Sequence, residues 1–256
     1  MTTSFRTGWI KDTPDERDYK YSLRVPQRQT LPSVDLRPKC PKVLNQGELG
    51  SCTACAATAM VQFVRGVEKH PNWQPSPLFT YYSTRLIEGS VDRDNGASLR
   101  NTIASTVRYG VTPELFWKYN ISNFKVNPPQ GVWSEALNHQ TIQYLRIDNT
   151  KESEICDCLT KGYPFVFGVA VYESFVSRLV ARTGVVPHPN TRKEQFLGGH
   201  ALLAVGYEQI GKVKHLIVQN SWGTGWGQRG FCKIPFTYIT SSVLCGDCWT
   251  IRTTEG

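Results

Sequence analysis

Three side chains suited to nucleophilic chemistry stand far apart along this chain: Cys52, His200 and Asn220. The first two are separated by 148 residues and the last two by 20. A fold that uses them together must bring the start of an early element against late ones. Their flanks predict that arrangement. After Cys52, the residues Ala56, Ala59, Met60, Phe63, Val64 and Val67 recur at helical spacing, and no Gly or Pro interrupts before Gly66. Cys52 is therefore expected in the first turn of a long helix. His200 follows Gly198 and Gly199 and opens a predicted strand over 201–207. Asn220 ends another, over 216–219.

The remaining pattern divides the chain. Ser76-Pro77 reads as an N-cap and first helical position for a helix through Leu86. Ser98 caps a third helix, which runs past Ile103 and Val107 to Gly110. One more helix is expected over 151–161, closed by Gly162. Strand-like runs at 165–171, 201–207, 216–219 and 231–234 dominate the second half, with Gly206, Gly211 and Gly223 at the turns. Helices followed by antiparallel strands predict an α+β protein with two lobes.

Composition narrows the partners. The chain has 256 residues, 40% hydrophobic and 20% charged, enough for one compact domain or two halves sharing a cleft. The net charge of +8 is dispersed, with no run of four Lys or Arg. Neither nucleic acid nor a membrane is expected as a partner. The N-terminus lacks an apolar signal core, and no stretch of 18 apolar residues occurs. Of eight cysteines, one assigned to chemistry leaves an odd seven, so reduced thiols in a cytosol-like compartment are expected.

The chemistry follows from the types of side chain. A thiolate is a far stronger nucleophile than a thiol. A helix N-terminus and a protonated His200 would each stabilise it, and such pairing lowers a cysteine pKa to roughly 3–4. Gly50 and Ser51 leave the sulfur accessible. His200 would protonate a leaving amine and then activate water. The Asn220 side-chain oxygen would accept the second imidazole N–H and fix the ring, and Trp222 would shield that bond. Gln46, six residues before Cys52, would point an amide N–H at a developing oxyanion beside the Cys52 backbone N–H. One such donor is worth about 3 kcal/mol.

These segments resemble the papain family of cysteine peptidases. The likeness rests on Asn45-Gln46-Gly47, Gly50-Ser51-Cys52, Gly199-His200-Ala201 with Val205-Gly206-Tyr207, and the run Asn220-Ser221-Trp222-Gly223-Thr224-Gly225-Trp226-Gly227. It extends over about residues 31–240. It implies a papain-like α+β fold, with a helical lobe at about 37–138 and an antiparallel β-barrel-like lobe at about 139–248. The active site would lie in the cleft between them. The implied activity is peptide-bond hydrolysis through a thioester acyl-enzyme, acid-to-neutral in range, with no cofactor and no metal, by a monomer acting on peptide or protein substrates. The resemblance also marks Asn95, Gly96 and Ala97 as the strip that pairs with substrate backbone, with Gly199 and Trp222 as further substrate contacts. The chain departs from the family pattern at Leu49 and Thr53, where a Cys and a Trp are usual. Asp94 stands where the partner of that Cys would be. The 148-residue Cys-to-His spacing places extra chain in 178–196, expected as a loop near the cleft.

Other readings stay open at this level. Cys55 rivals Cys52, although Gln46 is then nine residues away and no Gly-Ser precedes it. Cys245-Gly246-Asp247-Cys248 has metal-like spacing without an obvious fourth ligand, and packing or one disulfide is the simpler expectation. The same site would also serve an acyl transferase or peptide ligase, and a catalytically silent binding protein would keep the scaffold alone. Residues 1–30 read as a polar, extended arm. It is either a strand packed on the surface of the 31–256 domain or a short pro-segment crossing and blocking the cleft, as in a zymogen.

Overall fold

In a computed structural model of the chain, residues 5–26 and 30–255 are described. Residues 1–4 and 27–29, part of the predicted arm, lie outside that set.

The N-terminal half is helical where the sequence predicts it. Two short elements come first: β1 (Trp9–Ile10) and α1 (Tyr21–Arg24), followed by β2 (Val34–Asp35). Then α2 spans Cys52–Val67 and α3 spans Pro77–Glu88. After β3 (Ala97–Ser98) come α4 (Leu99–Arg108) and α5 (Gln130–Ala136). The predicted caps are in place. Ser76 Oγ accepts from the Phe79 amide at 3.1 Å, and Ser98 Oγ from that of Asn101 at 3.3 Å. Gly89 closes α3 in the left-handed conformation at φ 64°. Nearly every side chain of α2 is buried, which suits a helix wedged between α3 on one side and the sheet on the other.

The C-terminal half contains β4 (Thr141–Ile147), α6 (Glu152–Thr160), β5 (Phe165–Tyr172), α7 (Arg178–Thr183), β6 (Phe196–Ile210), β7 (Val213–Gln219), β8 (Phe231–Pro235), α8 (Phe236–Ile239) and β9 (Cys245–Thr254). The sheet order is β4-β9-β5-β6-β7-β8, antiparallel throughout, and β2 adds to β6. The large core lies between this sheet and α2. The architecture is the α+β, two-part arrangement of the sequence reading.

Four details differ from that reading. Strand β6 begins at Phe196, so His200 sits inside it, because Gly198 and Gly199 continue the ladder opposite Val171 and Ala170. The segment 178–196 is not a plain loop. It carries α7, and the Ala181 carbonyl accepts from the Gly227 amide at 2.7 Å. Strand β9 holds a bulge, since Gly168 pairs with Gly246 but Val166 pairs with Trp249. Asp247 occupies the extra position with φ 54°. Finally, the arm is not extended throughout. Tyr21 of α1 is fully buried in the main core, and its hydroxyl donates to Asp157 Oδ2 at 2.7 Å.

Candidate active site

Cys52 is the first residue of α2. The preceding Ser51 does not cap the helix with its side chain; its Oγ lies 2.5 Å from the Tyr119 hydroxyl instead. The Thr53 backbone amide is left facing the Cys52 thiol, as are the amides of Ala201 and Gly8. The Ala201 amide belongs to β6, so the helix start and the His200 strand meet at this sulfur.

His200 and Asn220 meet through the β6–β7 ladder. Leu203 lies opposite Gln219. Continuing that antiparallel register brings Asn220 and Trp222 alongside the 200–202 segment. His200 Nε2 is 2.8 Å from Asn220 Oδ1. The Trp222 indole stacks on the imidazole with centroids 4.5 Å apart. His200 is fully buried, and its Nδ1 has no hydrogen-bond partner among the described residues.

Gln46 is also fully buried. Its backbone amide donates to the Ser221 carbonyl at 2.9 Å, and its side-chain Oε1 accepts from Ser221 Oγ at 2.6 Å. That second bond fixes the amide orientation. Nε2 then donates to the Leu49 carbonyl at 2.9 Å and to the Arg6 carbonyl at 3.2 Å. Asp94 ties the same loop: Oδ1 accepts from the Gly50 amide at 2.9 Å and the Tyr81 hydroxyl at 2.6 Å. Hydrogen bonds thus brace the loop at the positions where the resemblance implies a disulfide in relatives, and Leu49 is simply buried. Cys55 lies buried one turn further along α2, 3.9 Å from Ser51 Oγ.

The arm runs through this site. Phe5 stacks on the outer face of Trp222 with centroids 4.4 Å apart. Arg6 Nη2 reaches the Asp94 carboxylate at 3.2 Å. The Gly8 amide also donates to the Gly199 carbonyl at 2.9 Å, and the Gly8 carbonyl accepts from the Ala97 amide at 2.8 Å. Trp9 and Ile10 then pair in parallel with Ala97 and Ser98. The approach is close on both walls. A Cβ on Gly8 would lie 2.2 Å from the Gly50 carbonyl oxygen. One on Gly96, which has φ 84°, would lie 2.1 Å from the Gly8 carbonyl oxygen. Of the strip marked in the sequence, Gly96 and Ala97 touch arm backbone, whereas Asn95 is exposed.

Covering the site changes its electrostatics. Burial pushes the Cys52 thiol up to about 12, against backbone amides that favour the thiolate. Burial also brings His200 down to about 4, against the Asn220 bond. With the arm in place, both shifts favour the neutral thiol and imidazole. Burial therefore works against the thiolate–imidazolium pair expected from the sequence, because it removes the water that would stabilise both charges. A cavity of about 580 Å³ lies behind Asp247, lined by Lys11, Asp12, Arg146 and Cys245 among others, and not over Cys52.

Comparisons with known proteins identify the family. A family model described as papain family cysteine protease matches residues 31–237. An uncharacterized peptidase C1-like protein of Acanthamoeba polyphaga mimivirus is 37% identical over 98% of this chain and 88% of its own length. Mouse pro-cathepsin H is 32% identical over 79% of this chain and 59% of its own. Among solved structures, xylellain, a cysteine protease from Xylella fastidiosa, superposes with a TM-score of 0.89 at 35% identity, covering 96% of both chains. The chain belongs to the papain family of cysteine proteases and is a peptide hydrolase.

Proposed function

We propose that this protein is a cysteine endopeptidase held inactive by residues 5–12 of its own chain. Cys52 is the nucleophile, and its sulfur attacks the scissile carbonyl carbon. His200 takes the thiol proton and passes it to the leaving amine, giving a thioester acyl-enzyme. Water then attacks the thioester, with His200 accepting its proton, and the acid product leaves. Asn220 holds the imidazole ring through the Nε2 bond, which leaves Nδ1 for the thiol. Gln46 Nε2 and the Cys52 backbone N–H stabilise the oxyanion. Gly96, Ala97, Gly199 and Trp222 line the path of the substrate, with Asn95 at its rim.

One observation carries the autoinhibition. Arm backbone takes the donors and acceptors that a bound peptide would need: Gln46 Nε2 donates to the Arg6 carbonyl, the Ala97 amide donates to the Gly8 carbonyl, and the Gly199 carbonyl accepts from the Gly8 amide.

The 256-residue chain and its Gly8→Ala variant provide the test. The added methyl has no room against the Gly50 carbonyl, so it expels the arm without shortening the chain. Iodoacetamide labelling at pH 5 to 6, mapped by mass spectrometry, should modify Cys52 slowly in the parent and at least tenfold faster in the variant. Peptide hydrolysis should rise in parallel and vanish in Cys52→Ala. Equal labelling of both chains would sink the blocking role, and labelling at Cys55 instead would move the nucleophile.

A further inference from the structure

The arm residue after Gly8 fills a pocket beside the nucleophile. Trp9 lies flat against two glycines. A Cβ on Gly168 would lie 2.0 Å from an indole carbon, and one on Gly199 would lie 2.8 Å from another. These walls leave room for a broad, flat ring. At its far end the indole Nε1 donates to Asp247 Oδ2 at 3.1 Å.

Asp247 is 3% exposed and stands at the β9 bulge. Three groups contact its carboxylate. Arg146 Nη2 takes Oδ1 at 3.0 Å. Oδ2 accepts from Trp9 Nε1 and from the Asp12 amide at 2.7 Å. Both Oδ2 donors belong to the arm. When the arm leaves the cleft, Oδ1 keeps Arg146, while Oδ2 loses both partners at the end of a narrow pocket. Water then reaches Oδ2, and a side chain that fills the pocket displaces it; one that brings no donor leaves a buried acceptor unpaired at a cost, whereas one that supplies a donor avoids that cost. Arg146 already balances the carboxylate charge, so a neutral donor suits the pocket better than a second cation beside Arg146.

Resting on the reading that residues 5–12 occupy the substrate cleft, we propose that the Trp9 pocket selects substrates, taking peptides with a flat aromatic side chain that ends in an N–H donor. Tryptophan is the preferred residue, and Asp247 is the residue that reads it. Trp9 acts as an internal copy of the preferred side chain.

The 256-residue Gly8→Ala chain allows a direct measurement. Peptides carrying Trp, Phe, Leu or Arg in turn at each position around the cleaved bond are compared by kcat/KM, with cut sites read by mass spectrometry. At one position Trp should exceed Phe about tenfold, the scale of one hydrogen bond to a charged acceptor, and Arg should do no better than Phe. Asp247→Gly suits the positive φ and removes the carboxylate. It should bring the Trp/Phe ratio within about twofold while Phe peptides are still cut. Asp247→Asn keeps an acceptor and should retain most of the ratio. Equal cleavage of Trp and Phe peptides with Asp247 intact overturns the proposal, as does a ratio that survives in Asp247→Gly. In either result the peptidase reading stands. Failure to cut any peptide overturns both.

Discussion

Trp222 stacks on His200 with one face while Phe5 of the arm covers the other, at centroid distances of 4.5 and 4.4 Å. The same indole therefore shields the His200–Asn220 bond and anchors the arm. A stacked aromatic pair contributes about 0.5–1.5 kcal/mol beyond its burial. Phe5→Ala should accordingly raise the rate of Cys52 alkylation in the full chain by about two- to tenfold. Trp222→Ala should also loosen the arm, but it should lower kcat for peptides because water reaches the imidazole bond. Trp222→Ala matching Phe5→Ala in both readouts would deny the indole a role at His200.

Gln46 gives a sharper separation of roles. Its Oε1 accepts from Ser221 and its Nε2 donates toward the cleft. Gln46→Glu keeps the first bond and loses the second. In the Gly8→Ala background, kcat should fall about 10²–10³-fold with little change in KM, the loss typical of one oxyanion donor. Thermal denaturation should show the loop intact. A kcat within threefold of the parent would remove Gln46 from the oxyanion site.

Much of this site was legible because its parts are local. Cys52 at a helix start, Ser76 and Ser98 as caps, and the strand ends at His200 and Asn220 each depend on residues nearby in sequence. What was missed depends on distant partners. Strand β4 hides its period because its pairing with β9 slips between Thr141 and Tyr144. Strand β9 carries Gly246 and Asp247, whose flanking cysteines drew attention to metal-like spacing, while the pair itself forms a bulge set by pairing with β5. Tyr21 is one of two tyrosines in a polar stretch, and its packing in the core and its bond to Asp157 in α6 account for its burial. The path of residues 5–12 is fixed by glycines at 50, 96, 168 and 199, none of which is near them in sequence. The shifts of Cys52 and His200 toward their neutral forms follow from burial of the site, which that path helps to cover.

Arm release should depend on pH through Asp247. Burial first, and then the neighbouring Asp12 carboxylate, raise its pKa from 3.8 to about 6, while Arg146 and the Trp9 and Asp12 donors oppose the shift. Asp12 is itself raised by burial, and Asp18 and Arg100 complete the charged cluster. Release admits water and removes Asp12. The docked state thus holds a proton on Asp247 that the released state has given up between about pH 4 and 6. A raised acid pKa means docking is tightest below about pH 4 and weakens as pH rises through about 6. The Cys52–His200 pair adds little slope in this window. Docked, it is thiol and imidazole; released, it becomes thiolate and imidazolium by internal transfer. Its next proton is taken near pH 4 in both, given a released thiolate pKa of roughly 3–4. Hydrogen exchange at residues 8–10, corrected for the intrinsic pH effect, should be faster at pH 6.5 than at pH 4, and Asp247→Asn should reduce that dependence to the part contributed by Asp12. Faster opening on acidification of the parent chain would reverse the sign and exclude Asp247 as the controlling group.

The arm divides into a releasable part and a fixed part, and the two should respond differently to mutation. Residues 5–10 touch the cleft through backbone bonds and two aromatic rings. Residues 18–21 are built into the fold. Asp18 joins Arg100, at 2.7 Å, to Arg146, and Lys20 bridges to Arg146 of β4. Tyr21 fills the core with its hydroxyl on Asp157, which also meets Lys161 at 2.6 Å. Truncating a fully buried aromatic costs about 3–5 kcal/mol, from lost burial and the cavity left behind. Tyr21→Ala should therefore lower the midpoint of urea unfolding substantially, and Tyr21→Phe, which leaves Asp157 without that donor, by about 1–3 kcal/mol. Phe5→Ala should lower the unfolding free energy by no more than the about 0.5–1.5 kcal/mol of its stack while accelerating alkylation of Cys52. A cut that activates the enzyme must then fall between these parts, in the Thr13–Arg17 turn, and not after Tyr21. Limited proteolysis of the full chain followed by mass spectrometry should find the activating cut there. Full activity in a fragment beginning at Leu31 would show that Tyr21 is dispensable.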